Sequence, residues 1–315
     1  MIKYDYLCHV HFVAGFPSER LIKYSTVTRN YEFSRTEIDQ MSVASKQSAN
    51  GSFNIANTTN IGKDVNITKH SRDELLVGTP VYRRKVVLLS TTNMGFLDFT
   101  HNLLESIRRL GALPYTVIIA EDETVYKPLL NISGVKIVQA DTNSSSGKLD
   151  FRTPEYNKLV GKRPQHILNL LHQGYDVLYS DADTVWLQNP FPYFNGDEYD
   201  IFVQMDDQHV YCTGFIYYRS NNKTMELMVK MITYLMGEAY GKENDQKVFN
   251  AIQGTMKDLK LKSLNTSLFL SGENYFKEEW RREHPEAKPV MLHNNFVVGH
   301  DKKVNRFKQL GMWYV

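Results

Sequence analysis

The chain has 315 residues, of which 42% are hydrophobic and 12% aromatic, enough for the core of one large α/β domain or of two small ones. Its formal net charge is only +2, with both signs interspersed, so a nucleic-acid partner is not indicated. The two cysteines, Cys8 and Cys212, lie far apart without metal-ligand spacing, so neither a disulfide framework nor a zinc site is indicated.

Residues 1–83 lack sustained periodicity and predict a stem or an irregular N-terminal region. The tract 42–70 is rich in Ser, Asn, Thr, Gly and Lys, a composition that cannot bury enough apolar surface to hold a fold. An irregular subdomain packed on the rest of the protein is the alternative. No run of about 18 apolar residues occurs, and residues 1–13 are too polar for the core of a signal peptide.

The chain carries seven Asn-x-Ser/Thr sequences, the acceptor motif for N-glycosylation. They begin at Asn50, Asn57, Asn66, Asn131, Asn143, Asn222 and Asn265. Because an Asn-rich chain acquires several by chance, they favour a protein of the secretory lumen only slightly.

From Lys85 onward, apolar runs alternate with segments of helical periodicity. Strands are predicted at 86–89, 115–120, 135–138 and 177–180, and an amphipathic helix follows the first of them. Strands that alternate with helices indicate a parallel, doubly wound sheet.

Ligands of such a sheet bind outside the carboxyl ends of its strands, which makes the residues just past those ends candidates by position. These are Thr91, Thr92 and Asn93 after the first strand, and Glu121 and Asp122 after the second. For Thr92 and Asp122, a role as helix cap is about as good an explanation as ligand binding. The glycine-rich motifs of dinucleotide sites and P-loops are absent, so those sites are disfavoured.

The strand predicted at 177–180 leads into Asp181-Ala182-Asp183. In an extended segment the side chains of Asp181 and Asp183 point the same way, so both can reach one cation. Oxygen ligands suit Mg²⁺ or Mn²⁺, ions that keep positions open for substrate phosphates. A helical segment ending at Gly174 precedes the strand, and Pro190 ends the regular structure after it. The motif therefore predicts a metal site that binds a diphosphate.

Residues 174–190 resemble the signature of the nucleotide-diphospho-sugar transferases with a GT-A fold, in particular glycosyltransferase family 77, which includes plant α-xylosyltransferases. The similarity runs from about Lys85 to the C-terminus and is absent before Arg83. It implies that residues 84–315 form the catalytic domain. The implied fold is α/β, a Rossmann-like doubly wound and mostly parallel sheet with a smaller mixed sheet on the acceptor side.

The resemblance also assigns residues to the donor and the metal. The positions that match donor-binding residues are Thr91, Thr92, Asp122, Asp181, Gly214, Lys302 and Lys303. The implied metal ligands are Asp181, Asp183 and His293, a set that suits Mn²⁺, with Mg²⁺ as the alternative. The sequence does not choose between the two lysines as the ligand of the β-phosphate.

Two further segments of the second half match the family. Asp245 and Gln246 resemble the Asp-Gln pair that retaining enzymes place near the anomeric carbon, and they are the catalytic candidates. Asn244, just before them, is read as a helix N-cap. Where the family has Asn-x-Gly against the donor sugar, this chain has Cys212-Thr213-Gly214, and cysteine cannot supply the amide.

The function implied is metal-dependent, retaining transfer of a sugar, xylose or a related one, from a UDP donor to a hydroxyl of a glycan or glycoprotein. The front-face route needs no covalent intermediate, whereas double displacement needs a carboxylate such as Asp245, Asp206 or Asp207. The resemblance implies a Golgi or secretory-lumen enzyme whose membrane anchor is missing from this chain.

Two other classes of protein stay open. A sugar nucleotidyltransferase would need a basic, glycine-rich loop after the first strand, where the chain instead has Thr91-Thr92-Asn93-Met94-Gly95. A catalytically inactive protein that binds sugar nucleotides or glycans on the same fold is suggested by Cys212.

Overall fold

The computed structural model describes residues 85–111, 113–140, 145–206, 209–237 and 239–315, all within one compact unit. The predicted N-terminal stem lies outside these residues, as do Cys8, Asp207 and the acceptor asparagines Asn50, Asn57, Asn66 and Asn143. Within the described ranges, no helix has both the length and the apolar character needed to cross a membrane.

The described residues form ten strands arranged in two sheets. The strands are β1 (Val86–Thr92), β2 (Thr116–Ala120), β3 (Val135–Gln139), β4 (Asp176–Ser180), β5 (Thr184–Trp186), β6 (Ile201–Met205), β7 (Tyr211–Tyr218), β8 (Leu261–Ser263), β9 (Phe269–Leu270) and β10 (Met291–His293). The large sheet has the order β3-β2-β1-β4-β7-β6-β8, and only β7 runs against the others. The small sheet, β5-β10-β9, is mixed.

Eight α-helices accompany these strands. They are α1 (Leu97–Arg108), α2 (Glu123–Leu129), α3 (Pro154–Val160), α4 (Arg163–Leu171), α5 (Asn222–Met236), α6 (Asp245–Gln253), α7 (Glu278–Glu283) and α8 (His300–Gln309). One face of the large sheet packs against α4, α5 and α6, and the other against α1 and the small sheet. The predicted fold class is therefore confirmed, because a mostly parallel sheet is covered on both faces and a smaller mixed sheet is present.

The first strand is longer than the sequence predicted, and the start of β7 determines the environment of Cys212. β1 continues to Thr92 because its ladder with β2 runs on through Thr92 and Ala120, so Thr91 and Thr92 lie inside the strand and not beyond it. β-branched threonines suit an extended backbone as well as the preceding valines and leucines do. β7 begins at Tyr211, which places Cys212 within the strand.

Parallel strands bring their carboxyl ends to one edge of the large sheet. Asp122, Asp181 and Asp206 follow β2, β4 and β6 at this edge. The small sheet adds His293, which pairs with Thr184 directly after Asp183. The two sheets thus meet where the acidic residues emerge.

Candidate active site

Asp181, Asp183 and His293 form a cluster in which one ligand atom of each lies within 4.8 Å of the others. His293 Nε2 is 3.6 Å from Asp181 Oδ2 and 3.3 Å from Asp183 Oδ1. The sequence suggested that the two aspartates share one face of an extended strand, but they do not. They lie in a tight turn between β4 and β5, closed by the hydrogen bond from Thr184 N–H to the Asp181 carbonyl. The turn brings both carboxylates to the same imidazole.

Gly214 provides the space for this cluster. Its carbonyl accepts a 2.7 Å hydrogen bond from Asp181 N–H across the β4–β7 pair. A Cβ at this position would lie 2.3 Å from His293 Cε1 and 2.6 Å from Asp181 Oδ2, closer than real contacts allow. The predicted contact of Gly214 with the donor stays a prediction, but the close approach explains why the site has glycine here.

The hydrogen bond on the far side of His293 orients its ring. Nδ1 lies 3.2 Å from Gln204 Oε1, an acceptor, so Nδ1 carries the proton and the Nε2 side faces the carboxylates. Burial alone would lower the pKa of His293, but Asp183 outweighs it and the pKa is raised. Two carboxylates and an oriented imidazole form a donor set that fits Mn²⁺ or Mg²⁺.

Arg163 bridges the partly buried Asp181 and the buried Asp245, and sequence reasoning missed it. Its Nη2 is 2.8 Å from Asp181 Oδ1, and its Nη1 is 3.4 Å from Asp245 Oδ2. The side chain is only 12% exposed. The available signal was Pro164, which marks the first turn of α4 and so places Arg163 at the edge where β1 and β4 end.

Lys303, and not Lys302, reaches the metal-ligand cluster. Its Nζ contacts Asp183 Oδ2, whereas Lys302, the preceding residue of α8, is exposed. Burial by itself would raise the pKa of Asp183, but Lys303 and His293 reverse the effect and hold that pKa well below its ordinary value. Asp183 is therefore ionised throughout the physiological pH range.

The Asp245-Gln246 pair opens α6, and Asn244 caps this helix as predicted, accepting from Lys247 N–H at 2.8 Å. Asp245 is 5% exposed, and its Oδ2 also accepts from the Thr213 hydroxyl at 3.4 Å. Burial raises the pKa of Asp245, and Arg163 opposes that effect. Gln246 is less buried than Asp245.

Two hydrogen bonds fix the amide of Gln246. Its Oε1 accepts from Thr213 N–H at 3.3 Å, and its Nε2 donates to Asp206 Oδ2 at 2.8 Å. The other oxygen of Asp206 accepts from Asn295 Nδ2 at 2.7 Å. Sequence reasoning missed Asn295, although it follows the predicted ligand His293 by only two positions.

Three of the residues predicted to bind the donor, at the ends of β1 and β2, have different environments. Asp122 caps α2 by accepting from Thr124 N–H and Val125 N–H, and it also accepts from Met94 N–H. Thr91 lies 3.1 Å from the Tyr179 hydroxyl, which donates to Asp181. The side chain of Thr92 caps no helix and instead donates to the Asn93 carbonyl. The capping explanation thus holds for Asp122 alone, and the role of all three in donor binding stays a prediction.

A family profile described as nucleotide-diphospho-sugar transferase matches residues 111–307. The chain is 31% identical over 260 residues to UDP-D-xylose:L-fucose alpha-1,3-D-xylosyltransferase 1 of Arabidopsis thaliana, covering 75% of this chain and 72% of that protein. The chain belongs to the nucleotide-diphospho-sugar transferases. The resemblance on residues 174–190 is therefore confirmed, and the GT-A type is the fold expected of the family.

More distant relatives include UDP-galactose:fucoside alpha-3-galactosyltransferase of Dictyostelium discoideum, 26% identical over 282 residues, with 73% of this chain and 43% of that protein covered. Among solved structures, the glycosyltransferase GlyE of Streptococcus pneumoniae is similar, with a TM-score of 0.48 and 15% identity, over 73% of this chain and 61% of that one. The named relatives are glycosyltransferases, and the two curated ones are named for UDP-sugar donors.

The close approach of His293 and Asp181 to Gly214 gives a prediction about the stability of this protein. Gly214→Ala should lower the free energy of unfolding by roughly 1–3 kcal/mol, because the new methyl group overpacks His293 and Asp181. The measurement is urea denaturation followed by circular dichroism. Gly254→Ala is the matched control, because its φ is −66° and a Cβ there meets nothing within 4 Å. Equal stabilities of the two variants would contradict this close approach.

Proposed function

We propose that the protein is a metal-dependent, retaining glycosyltransferase that moves a sugar from UDP to a hydroxyl of a fucose-containing glycan or glycoprotein. The observation that carries the proposal is the cluster of Asp181, Asp183 and His293, flanked by the cations of Arg163 and Lys303. Acidic ligands for a divalent ion beside two positive side chains are the chemistry that a diphosphate requires.

The names of the relatives narrow the acceptor more than the donor. One relative is named for xylose as donor and another for galactose, whereas both names contain fucose or fucoside as acceptor. We therefore assign a fucoside as the acceptor class and a UDP-pentose or UDP-hexose as the donor class. Donor choice depends on a few pocket contacts, which differ readily among relatives.

A divalent cation, Mn²⁺ in preference to Mg²⁺, on the Asp-Asp-His cluster would supply Lewis-acid stabilisation of the donor's two phosphates. Lys303 and Arg163 add fixed positive charge beside that cluster. When the bond between the anomeric carbon and the β-phosphate oxygen breaks, negative charge grows on the diphosphate, and these two side chains stabilise it.

Gln246 is the residue that we assign to the anomeric centre, in preference to Asp245. Asp245 is buried and forms an ion pair with Arg163, so its carboxylate positions the guanidinium group of Arg163. The amide of Gln246 is half-buried and held at both ends by Thr213 and Asp206, so its dipole is fixed before the substrate binds. A preorganised amide stabilises the positive charge of an oxocarbenium-like transition state without reorganising.

Retention follows from a front-face reaction. The acceptor hydroxyl attacks from the side that the diphosphate leaves and transfers its proton to the departing phosphate oxygen. A double displacement needs a free carboxylate. Asp245 is engaged by Arg163, and both oxygens of Asp206 accept from amides, which disfavours either as a nucleophile.

The inactive-protein alternative rested on Cys212, which lacks the amide expected there. Cys212 is 1% exposed, and its Sγ lies 3.9 Å from Asn295 Nδ2. An amide group is therefore present beside this position, contributed by a different segment of the chain. The location that we propose is the Golgi or the secretory lumen, as the resemblance implies.

The proposed reaction predicts metal-dependent transfer to a simple acceptor. The purified chain, incubated with methyl α-L-fucoside and a panel of UDP-sugars, should release UDP with at least one donor when Mn²⁺ is present and not when a chelator is. Asp183→Asn should lower kcat/KM by roughly 100-fold or more, the scale of losing one preorganised electrostatic group. Asp301→Asn, which changes an 86% exposed carboxylate, is the control. Full activity in chelator would contradict the metal assignment.

The two lysines of α8 provide a separate prediction. Lys303→Ala should lower kcat with the best donor by roughly tenfold to 100-fold, because a charge beside the leaving phosphate is lost. Lys302→Ala, the neighbouring exposed position, should change kcat by less than about twofold, because exposed charges interact weakly through water. Steady-state kinetics of the two variants decide the matter, and equal losses would rule out Lys303 as the phosphate ligand.

A further inference from the structure

Residues 296–298, here called the apolar loop, connect the metal-ligand strand β10 to α8. They are Phe296-Val297-Val298, three apolar residues in succession. Phe296 is 41% exposed and Val298 is 45% exposed. In the part of the chain that the structure describes, neither residue belongs to a hydrophobic cluster. Exposed apolar side chains next to a polar site can contact the apolar part of a ligand.

The residues before the loop fix it to the active site. Asn294 N–H donates to the Asp183 carbonyl at 3.0 Å, and the Asn294 amide donates to the Lys303 carbonyl at 2.8 Å. Asn295 donates to Asp206 and accepts from Gly272 N–H at 2.6 Å. The loop therefore begins one residue beyond a position held from two sides, and it lies beside the proposed reaction centre.

The backbone of Phe296 is in the left-handed region, with φ at 57°. This conformation is a genuine outlier for a bulky side chain, and it persists only where neighbouring contacts impose it. The two residues directly before it, Asn294 and Asn295, are the anchored ones. The phenyl ring is exposed to solvent and not packed into the core.

We propose that the apolar loop forms the wall of the acceptor subsite and contacts the C5 methyl group of a 6-deoxyhexose. The proposal rests on the proposed transferase function and names the part of the acceptor that this site recognises. L-Fucose is L-galactose in which the hydroxymethyl group is replaced by methyl, so it offers one apolar substituent among its hydroxyls. Phe296 and Val298 match that methyl group, and burying it excludes water from both surfaces.

The chemistry of the loop favours the acceptor over the donor. The diphosphate belongs with Asp183, Lys303 and Arg163, all of which are charged. The other residues predicted to bind the donor, Thr91, Thr92 and Asp122, lie at the ends of β1 and β2. The loop is uncharged and directly follows Asn295, whose amide donates to Asp206 just after β6.

The test compares methyl α-L-fucoside with methyl α-L-galactoside, which differ only by the hydroxyl on C6. The wild-type protein should prefer the fucoside by roughly tenfold to 100-fold in kcat/KM, the usual range for recognition of a methyl group. Phe296→Ser should reduce that preference about tenfold, chiefly by raising KM for the fucoside. KM for the UDP-sugar should stay within about twofold of the wild-type value, because the loop does not contact the donor.

Two further variants complete the experiment. Phe296→Gly removes the ring and suits the positive φ, so it should fold at least as stably as wild type and show the same loss of preference. Leu130→Ser is the matched control, since Leu130 is 55% exposed at the end of α2, at the opposite edge of the sheet. It should keep the wild-type preference.

The outcomes separate the subsite from the function. Transfer to both glycosides with a preference unchanged in Phe296→Ser and Phe296→Gly would overturn the subsite alone. A raised KM for the UDP-sugar with an unchanged KM for the fucoside would place the loop on the donor and also overturn it. Absence of transfer to either glycoside by the wild-type protein, with every donor of the panel, would overturn the proposed function together with the subsite.

Discussion

At the candidate active site, carboxylates that are largely withdrawn from water must be paired with positive side chains. Asp181, Asp183 and Asp245 emerge close together, and a buried charge is strongly unfavourable unless it is paired. Arg163 joins the first to the third, and Lys303 and His293 contact the second. These partners come from the start of α4, from α8 and from β10, so the pairing also determines which elements must meet. Because the charges are fixed before a substrate binds, the site has the preorganisation that the proposed diphosphate ligand requires.

Close approach of the backbone is the second constraint on this site. Gly214 lets the Asp181 carboxylate and the His293 ring lie against β7. Gly272 plays the same part for Asn295, since a Cβ there would lie 2.1 Å from the Asn295 carbonyl oxygen. Gly214 therefore leaves room for two side chains, and Gly272 leaves room for the backbone of Asn295. The chain then continues into the apolar loop, so charged and apolar surfaces lie side by side, as the binding of a diphosphate and of a deoxy sugar would require.

The parts of the site that the sequence predicted are those with a local signal. The acidic pair follows an apolar strand, and Asn244 precedes an amphipathic helix, so neighbouring residues alone identify them. Pro164 marks the helix start at Arg163, and Asn295 lies two residues after His293, but neither signal identifies a partner. The partners lie far away in the sequence, and only the tertiary fold brings them together. Which of Lys302 and Lys303 faces the site depends on the residue at which α8 begins, because adjacent residues of a helix point in different directions. Two neighbouring lysines in the sequence do not reveal that starting residue. Family resemblance supplied His293, and the β5–β10 pairing shows how the chain places it beside the aspartates.

The central claim is that Asp181, Asp183 and His293 act with a divalent cation to hold the diphosphate of the donor. The most direct test is calorimetric titration of UDP into the protein in Mn²⁺, in Mg²⁺ and in a chelator. We predict binding in the two metals, tighter in Mn²⁺, and an affinity for UDP lower by roughly tenfold or more in the chelator, a loss of about 1.4 kcal/mol or more, because the cation beside the two phosphates is gone. Equal affinity for UDP with and without the metal would contradict the claim.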